Sequence, residues 1–223
     1  ALIKAISSEK AEVVHLAARA LGKLISYLDD DPRETLGSIL KDEKTIEVGL
    51  TALGAVGTSE AAVMLRSFLA HPRWTVRERA AASLVKIGGR SIAVLEEALK
   101  STNSNEHFWA TRAACWLLIR VGEPVLYLVL NAVHSGEKDL ALEAIRTLSE
   151  FKHPRAIAAL IECFGSPIWT VRAEASDALV RIGQEAMDAL SSIMKTTDNR
   201  DVHYWARKTL RRIKQALPTG ENW

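Results

Sequence analysis

The sequence predicts an all-α repeat protein, an α-α superhelix of about seven stacked helix pairs, on three observations. Trp74 to Gly88 reads W-T-V-R-E-R-A-A-A-S-L-V-K-I-G and Trp169 to Gly183 reads W-T-V-R-A-E-A-S-D-A-L-V-R-I-G, nine of fifteen positions identical across an interval of 95 residues. Internal similarity at this scale marks a stacked-repeat architecture. Leucines equivalent to Leu84 recur at Leu21, Leu53, Leu118, Leu148, Leu179 and Leu210, at intervals of 32, 31, 34, 30, 31 and 31 residues when Leu84 is counted in its place. Four positions before each stands a small residue, in order Ala17, Gly49, Ala80, Ala114, Ala144, Ala175 and Ala206.

Each repeat holds a shorter helix followed by a longer one. Residues 1–7 (A-L-I-K-A-I-S) read as the end of the first shorter helix, and later ones are expected at 32–41, 59–70, 90–100, 123–134, 154–164 and 184–195. In the 90–100 segment Ile92, Leu95 and Leu99 form an apolar stripe at helical spacing, with acids opposite. Turn chemistry separates the helices: His71-Pro72, His153-Pro154 and Ser166-Pro167 mark joints, while Gly57, Gly88, Gly122 and Gly183 close helices where a left-handed residue is cheapest as glycine. A lone pair of such helices leaves apolar surface uncovered, so neighbouring pairs must cover one another. The tail from Leu217, with Pro218 and Gly220, is expected to fray.

Composition fits a soluble chain of 223 residues, 48% hydrophobic and 25% charged. Apolar runs are broken by residues such as Arg77, Glu78 and Arg79, so no span of ~20 apolar residues is expected to cross a bilayer. No secretory signal is read at the start, and the chain opens on Ala1, which fits a trimmed end or a piece of a longer protein. Cys115 and Cys163, the only two cysteines, fall in apolar helical patterns, which suggests buried thiols in a reducing, cytoplasmic setting. A net charge of +2 implies no polyanionic partner by itself.

The pattern V-R-x-x-A-x-x-x-L-x-x-I-G, with its Pro-marked joint and period of about 31 residues, closely resembles the short bacterial HEAT repeats, including those called phycobilisome-lyase HEAT-like repeats. The resemblance covers essentially the whole chain, most strongly the third and sixth repeats. It implies one array over residues 1–216 with a tail at 217–223, a binding scaffold rather than an enzyme, and a concave side lined by the longer, V-R-bearing helices. The acid usual in the turn before V-R is replaced around Trp74 and Trp169.

With Leu84 facing the stack and 100° per residue, Thr75, Glu78, Arg79, Ala82 and Lys86 point outward. Arg77 lies about 20° from Leu84, so Arg77 and its counterpart Arg172 are expected to bond neighbouring carbonyls or carboxylates. The same offsets place Trp109, Arg112, Ala113, Trp116 and Arg120 outward in the fourth repeat, and Asp201, Tyr204, Trp205, Lys208 and Arg212 in the seventh. Neighbouring faces add Arg146. The candidate partner-binding residues are therefore Trp109, Arg112, Trp116, Arg120, Arg79, Arg146, Tyr204 and Trp205, since exposed Trp and Arg dominate interface energetics. Aromatics at helical spacing are more often core, and Trp74, Phe108 and Trp169, at a recurring helix start, are expected to pack on the preceding turn.

Catalytic chemistry leaves no trace in the sequence. The six histidines are scattered, with no H-E-x-x-H or paired-cysteine spacing, and no metal or cofactor is called for. The expected function is a non-catalytic, cytoplasmic scaffold for a protein partner. An alternative carried by the lyase resemblance is a subunit acting on the bilin of a phycobiliprotein, its Trp and Arg stripe holding the tetrapyrrole. Nucleic acid is disfavoured by interspersed acids such as Glu78, Glu143 and Glu174.

Overall fold

A computed structural model describes residues 5, 11–28, 31–135 and 137–216. The readings for residues 1–7 and for the tail from Leu217 fall, apart from Ala5, outside the described residues. The fold is an all-α helical-repeat solenoid, with no strand among the described residues. The chain divides into two compact units, Ala1–Val125 and Leu126–Trp223.

In the N-terminal unit the longer helices are α1 (Ala11–Leu28), α3 (Ile46–Val56), α5 (Trp74–Ile87) and α7 (Ser104–Val121). They pack in sequence, α1 on α3, α3 on α5 and α5 on α7. The shorter helices α2 (Pro32–Lys41), α4 (Ser59–Arg66) and α6 (Ile92–Ala98) form the other layer. Two of these are continued or preceded by 3-10 turns, Ser67–Ala70 after α4 and Gly88–Ser91 before α6. In the C-terminal unit the shorter helices are α8 (Leu126–Val133), α10 (Pro154–Glu162) and α12 (Met187–Thr196). The longer ones, α9 (Lys138–Glu150), α11 (Trp169–Ile182) and α13 (Arg200–Ala216), pack α9 on α11 and α11 on α13.

The leucine register is the core. Leu53, Leu84, Leu118, Leu148 and Leu179 are wholly buried, Leu21 nearly so, and the small residues four positions before them are buried as well. Leu210 is half-buried, as the last of the row. Gly22 shows why small residues matter here: a Cβ at this position would lie 2.2 Å from the Ala52 carbonyl oxygen, so α1 and α3 touch backbone to backbone. At Gly54 the added carbon would meet the Ser83 side chain at 2.9 Å, so α3 and α5 are nearly as close.

The joints behave as their chemistry dictates. Gly57, Gly88, Gly122 and Gly183 all have positive φ. Only Gly57 takes the left-handed helical conformation; Gly88, Gly122 and Gly183 combine φ of 81° to 83° with ψ of −131° to −144°, a region open to glycine alone. His71 and His153 are turn residues, each Nδ1 accepting from the amide two residues on, Arg73 and Arg155. Arg77 donates through Nη1 to the carbonyls of His71 (2.6 Å) and Pro72 (2.7 Å), and Arg172 to that of Ser166 (2.6 Å). These guanidinium groups tie each V-R helix to the turn that introduces it. Trp74 and Trp169 depart from expectation: both are exposed at the helix start, and Trp169 meets the edge of Trp205 at 6.3 Å.

Candidate functional site: a basic groove on the V-R helices

The residues selected for an outward face separate into three groups. In α5 the assignment holds: Glu78, Arg79 and Ala82 are exposed and Thr75 and Lys86 half-buried. In α7 it does not. Trp109 is 5% exposed and Ala113 fully buried, Arg112 and Trp116 are half-buried, and Arg120 alone is open. The cause is side-chain size. Trp109, Arg112 and Trp116 stand at helical spacing on one side of α7, and the Arg112 guanidinium lies 5.2 Å from the Trp109 ring and 5.1 Å from the Trp116 ring. Phe108 closes the cluster edge-on to Trp109 at 5.7 Å. A stripe of large rings around one cation thus covers itself, which angular bookkeeping on Cα positions does not register.

In α13 the correction concerns Trp205, expected outside and found 5% exposed. Its indole stacks on the buried Phe164 at 6.3 Å and fills the core of the last repeat, with the Lys208 ammonium 4.6 Å from its ring. Tyr204 is exposed. Arg146 is exposed but engaged, its Nε 3.1 Å from Glu174, a carboxylate that Arg181 also approaches at 3.6 Å.

Arg79 and Arg120 belong to a larger constellation in the N-terminal unit. A groove of about 190 Å³ runs over α1, α3 and α5, lined by His15, Arg19, Thr51, Arg79, Ala82, Ser83 and Lys86. The short side chains of Thr51, Ala82 and Ser83 lie between its longer basic ones, and the close approach at Gly54 packs α3 directly against Ser83 of α5. Its rim is cationic, from Arg19 and Lys23 of α1, Arg79 and Lys86 of α5, and Arg120 of α7. None of the five carries an ion pair among the described residues. Arg120 donates to the Val85 carbonyl at 3.0 Å, which bends it back over α5. Burial, and then the neighbouring Arg19, Lys23 and Arg120 cations, lower the pKa of Lys86 below the ordinary lysine value. The nearest acid of α3 is already spent: Glu47 accepts from Arg73 at 3.0 Å and from Thr75 at 2.8 Å, while Glu43 takes the other arm of Arg73. Glu12 and Glu78 remain in solvent at the margin.

His15, Arg19 and Lys23 were not singled out from the sequence, although the signal was there. The offsets that pick Glu78, Ala82 and Lys86 relative to Leu84 pick His15, Arg19 and Lys23 relative to Leu21. Laid on Leu53 they pick Thr51, which lines the same groove.

A family model described as HEAT repeats matches residues 34–115 and 125–211. This chain belongs to the HEAT-repeat family. No curated protein sequence matches it. A chain of the structure of Kap95p with RanGDP is similar over 95% of this protein and 35% of that chain, at 12% identity and a TM-score of 0.50. Human deoxyhypusine hydroxylase in complex with glycerol aligns over 96% of this protein and 83% of its own chain, at 20% identity and a TM-score of 0.41. A designed armadillo repeat protein aligns over 95% and 98%, at 15% identity and a TM-score of 0.33. The likeness to the Kap95p structure speaks to fold alone.

Other cavities are less suggestive. A space of about 350 Å³ in the C-terminal unit is lined mostly by apolar groups, with the His134–Glu162 pair (3.2 Å) and Cys163 at its edge. Desolvation, with the Glu162 carboxylate next, pushes the Cys163 thiol up to about 12, so it is a poor nucleophile. Among the described residues no cluster of His, Cys, Asp or Glu is arranged to hold a metal ion, and no described helix is long and apolar enough to cross a membrane.

Proposed function

We propose that this HEAT-repeat protein is a non-catalytic scaffold that holds a protein partner against the V-R helix face of its N-terminal unit. The observation that carries this reading is the convergence of Arg19, Lys23, Arg79, Lys86 and Arg120, none of them in an ion pair among the described residues, although Glu12 and Glu78 stand at the margin. Like charges gathered on one face are unfavourable in the free protein, and an acidic segment of a partner relieves that cost on binding. Arg79 and Arg120 retain the recognition role expected of them, with the half-buried Trp116 as an apolar neighbour on α7. Arg112 positions the indoles rather than meeting the partner, and Trp109 and Trp205 serve the core. A tetrapyrrole site would need an open aromatic stripe, whereas Trp109, Arg112 and Trp116 fill one another's faces.

Charge reversal tests the proposal. Arg79→Glu/Lys86→Glu is expected to weaken partner capture, measured by quantitative affinity purification from the source cells, at least tenfold, and to leave the circular dichroism spectrum unchanged. Reversal of Lys195 in α12 is expected to change nothing. An identical set of captured proteins for wild type and the double variant would refute the assignment.

A further inference from the structure

The groove's chemistry is more specific than attraction to acid. We infer that the pocket formed by His15, Arg19, Ser83, Arg79 and Lys86 is a phosphoryl-binding site, and that the partner segment presents a phosphorylated side chain to it. This deepens the proposed function and rests on the same reading of the V-R face.

Two features favour a phosphoryl group over a carboxylate. The first is charge. A carboxylate brings one negative charge to a rim of five unpaired cations, whereas a phosphoryl group carries about −1.5 to −2 at neutral pH and three strongly accepting oxygens. The second is the donor set. Arg19 and Arg79 offer guanidinium forks from two different helices, the arrangement that suits planar bidentate contact with phosphate oxygens, and Lys86 adds a point charge. The Ser83 hydroxyl faces the same space with no hydrogen-bond partner among the described residues, whereas Thr51 already donates to the Glu47 carbonyl at 2.9 Å. A nucleic-acid strand shares the phosphate chemistry, but no Trp, Tyr or Phe on which bases would stack lines the groove, and Trp116 of α7 is half-buried against Arg112.

Titration calorimetry on the full chain at constant ionic strength tests this with four probes: inorganic phosphate, pyrophosphate, an acidic peptide bearing one phosphoserine, and its unphosphorylated twin. Saturable binding of pyrophosphate and of the phosphopeptide is expected, the phosphopeptide at least tenfold tighter than its twin. Arg79→Ala and Arg19→Ala should each weaken both by about tenfold, and Arg146→Ala by less than twofold. Equal binding of phosphopeptide and twin would overturn the phosphoryl assignment and leave the scaffold reading standing; failure of both peptides would remove both. Pyrophosphate binding that exceeds phosphopeptide binding would keep the phosphoryl chemistry but assign it to a free anion instead of a partner chain. An oligonucleotide that bound with a steep salt dependence while the phosphopeptide did not would overturn the proposal in favour of a nucleic-acid backbone.

Discussion

Trp109→Ala separates the two roles that this residue could play. In the structure its ring is nearly all buried, lies edge-on to Phe108 at 5.7 Å and to Trp116 at 6.5 Å, and supports Arg112 at 5.2 Å. Truncating a buried Trp costs about 3–5 kcal/mol through lost transfer energy and the cavity left behind. The edge contacts contribute ~0.5–1.5 kcal/mol each within such a cluster, and the partly desolvated Arg112 loses a cation–π contact worth ~1 kcal/mol. Because part of that is already counted in the truncation value, a loss of about 4 kcal/mol is expected. In a domain of this size that lowers Tm by roughly 10 °C or more. Urea unfolding followed by circular dichroism, with Trp116→Ala alongside, measures it. The half-buried Trp116 should cost less, about 2 kcal/mol. A loss below ~1 kcal/mol for Trp109→Ala, together with a selective defect in partner capture, would refute the core role and make the ring a contact residue.

Three further outcomes follow from particular contacts. Arg77→Ala removes two charge-assisted hydrogen bonds to the His71 and Pro72 carbonyls and should cost about 2–3 kcal/mol in denaturant unfolding; Arg77→Lys should recover less than half, since an ammonium lacks the fork. Gly22→Ala forces a carbon to 2.2 Å from a backbone oxygen that cannot turn aside, so despite a gain in helix propensity it should destabilise by ~1–3 kcal/mol and loosen α1 against α3, visible as faster amide exchange in both helices. Cys163 should resist iodoacetamide at pH 8 in the folded protein and react on unfolding. Its folded pKa of about 12 lies above that of a free thiol, so its contribution to stability is complete below the free-thiol value and is lost as pH climbs towards 12; urea midpoints that did not fall over that alkaline range relative to Cys163→Ala would contradict this.

The leucine and small-residue rows were legible because a buried helix face has a strict period and close packing leaves little room on it: a Cβ at Gly49 would lie 2.7 Å from the Leu40 side chain, and Ala80 is fully buried. Arg77 was legible for a related reason: its angle put a guanidinium next to the core, where it had to find acceptors. The fourth repeat defeated the same ruler. Asn103 caps α7 by accepting from the amides of Asn105 and Glu106, and Asn199 caps α13 by accepting from Asp201 and Val202, an interval of 96 residues. At that interval His107, Phe108, Trp109 and Arg112 match His203, Tyr204, Trp205 and Lys208. Both tryptophans are buried beneath the cation three residues on. The leucine marks instead equate Trp109 with Thr75 and Trp205 with Arg79, and so hide a shared motif, N-x-x-x-H-[FY]-W-A, that announces a structural indole. The basic groove was missed for a different reason: its cations come from separate repeats, so no window of sequence contains them, and their freedom from acids depends on Arg73 occupying Glu43 and Glu47.

The backbone contact at Gly22 has a consequence beyond stability. Because α1 meets α3 through main-chain atoms and α3 meets α5 through Ser83, the distance from Arg19 to Arg79 is dictated by parts of the chain that do not include either arginine. Side chains on this face can therefore be exchanged one at a time, as on a keyboard whose key spacing is fixed by the frame. For the proposed site, a change in what it binds calls for new side chains at positions such as 19, 79 and 86, while Gly22 and Gly54 stay as they are.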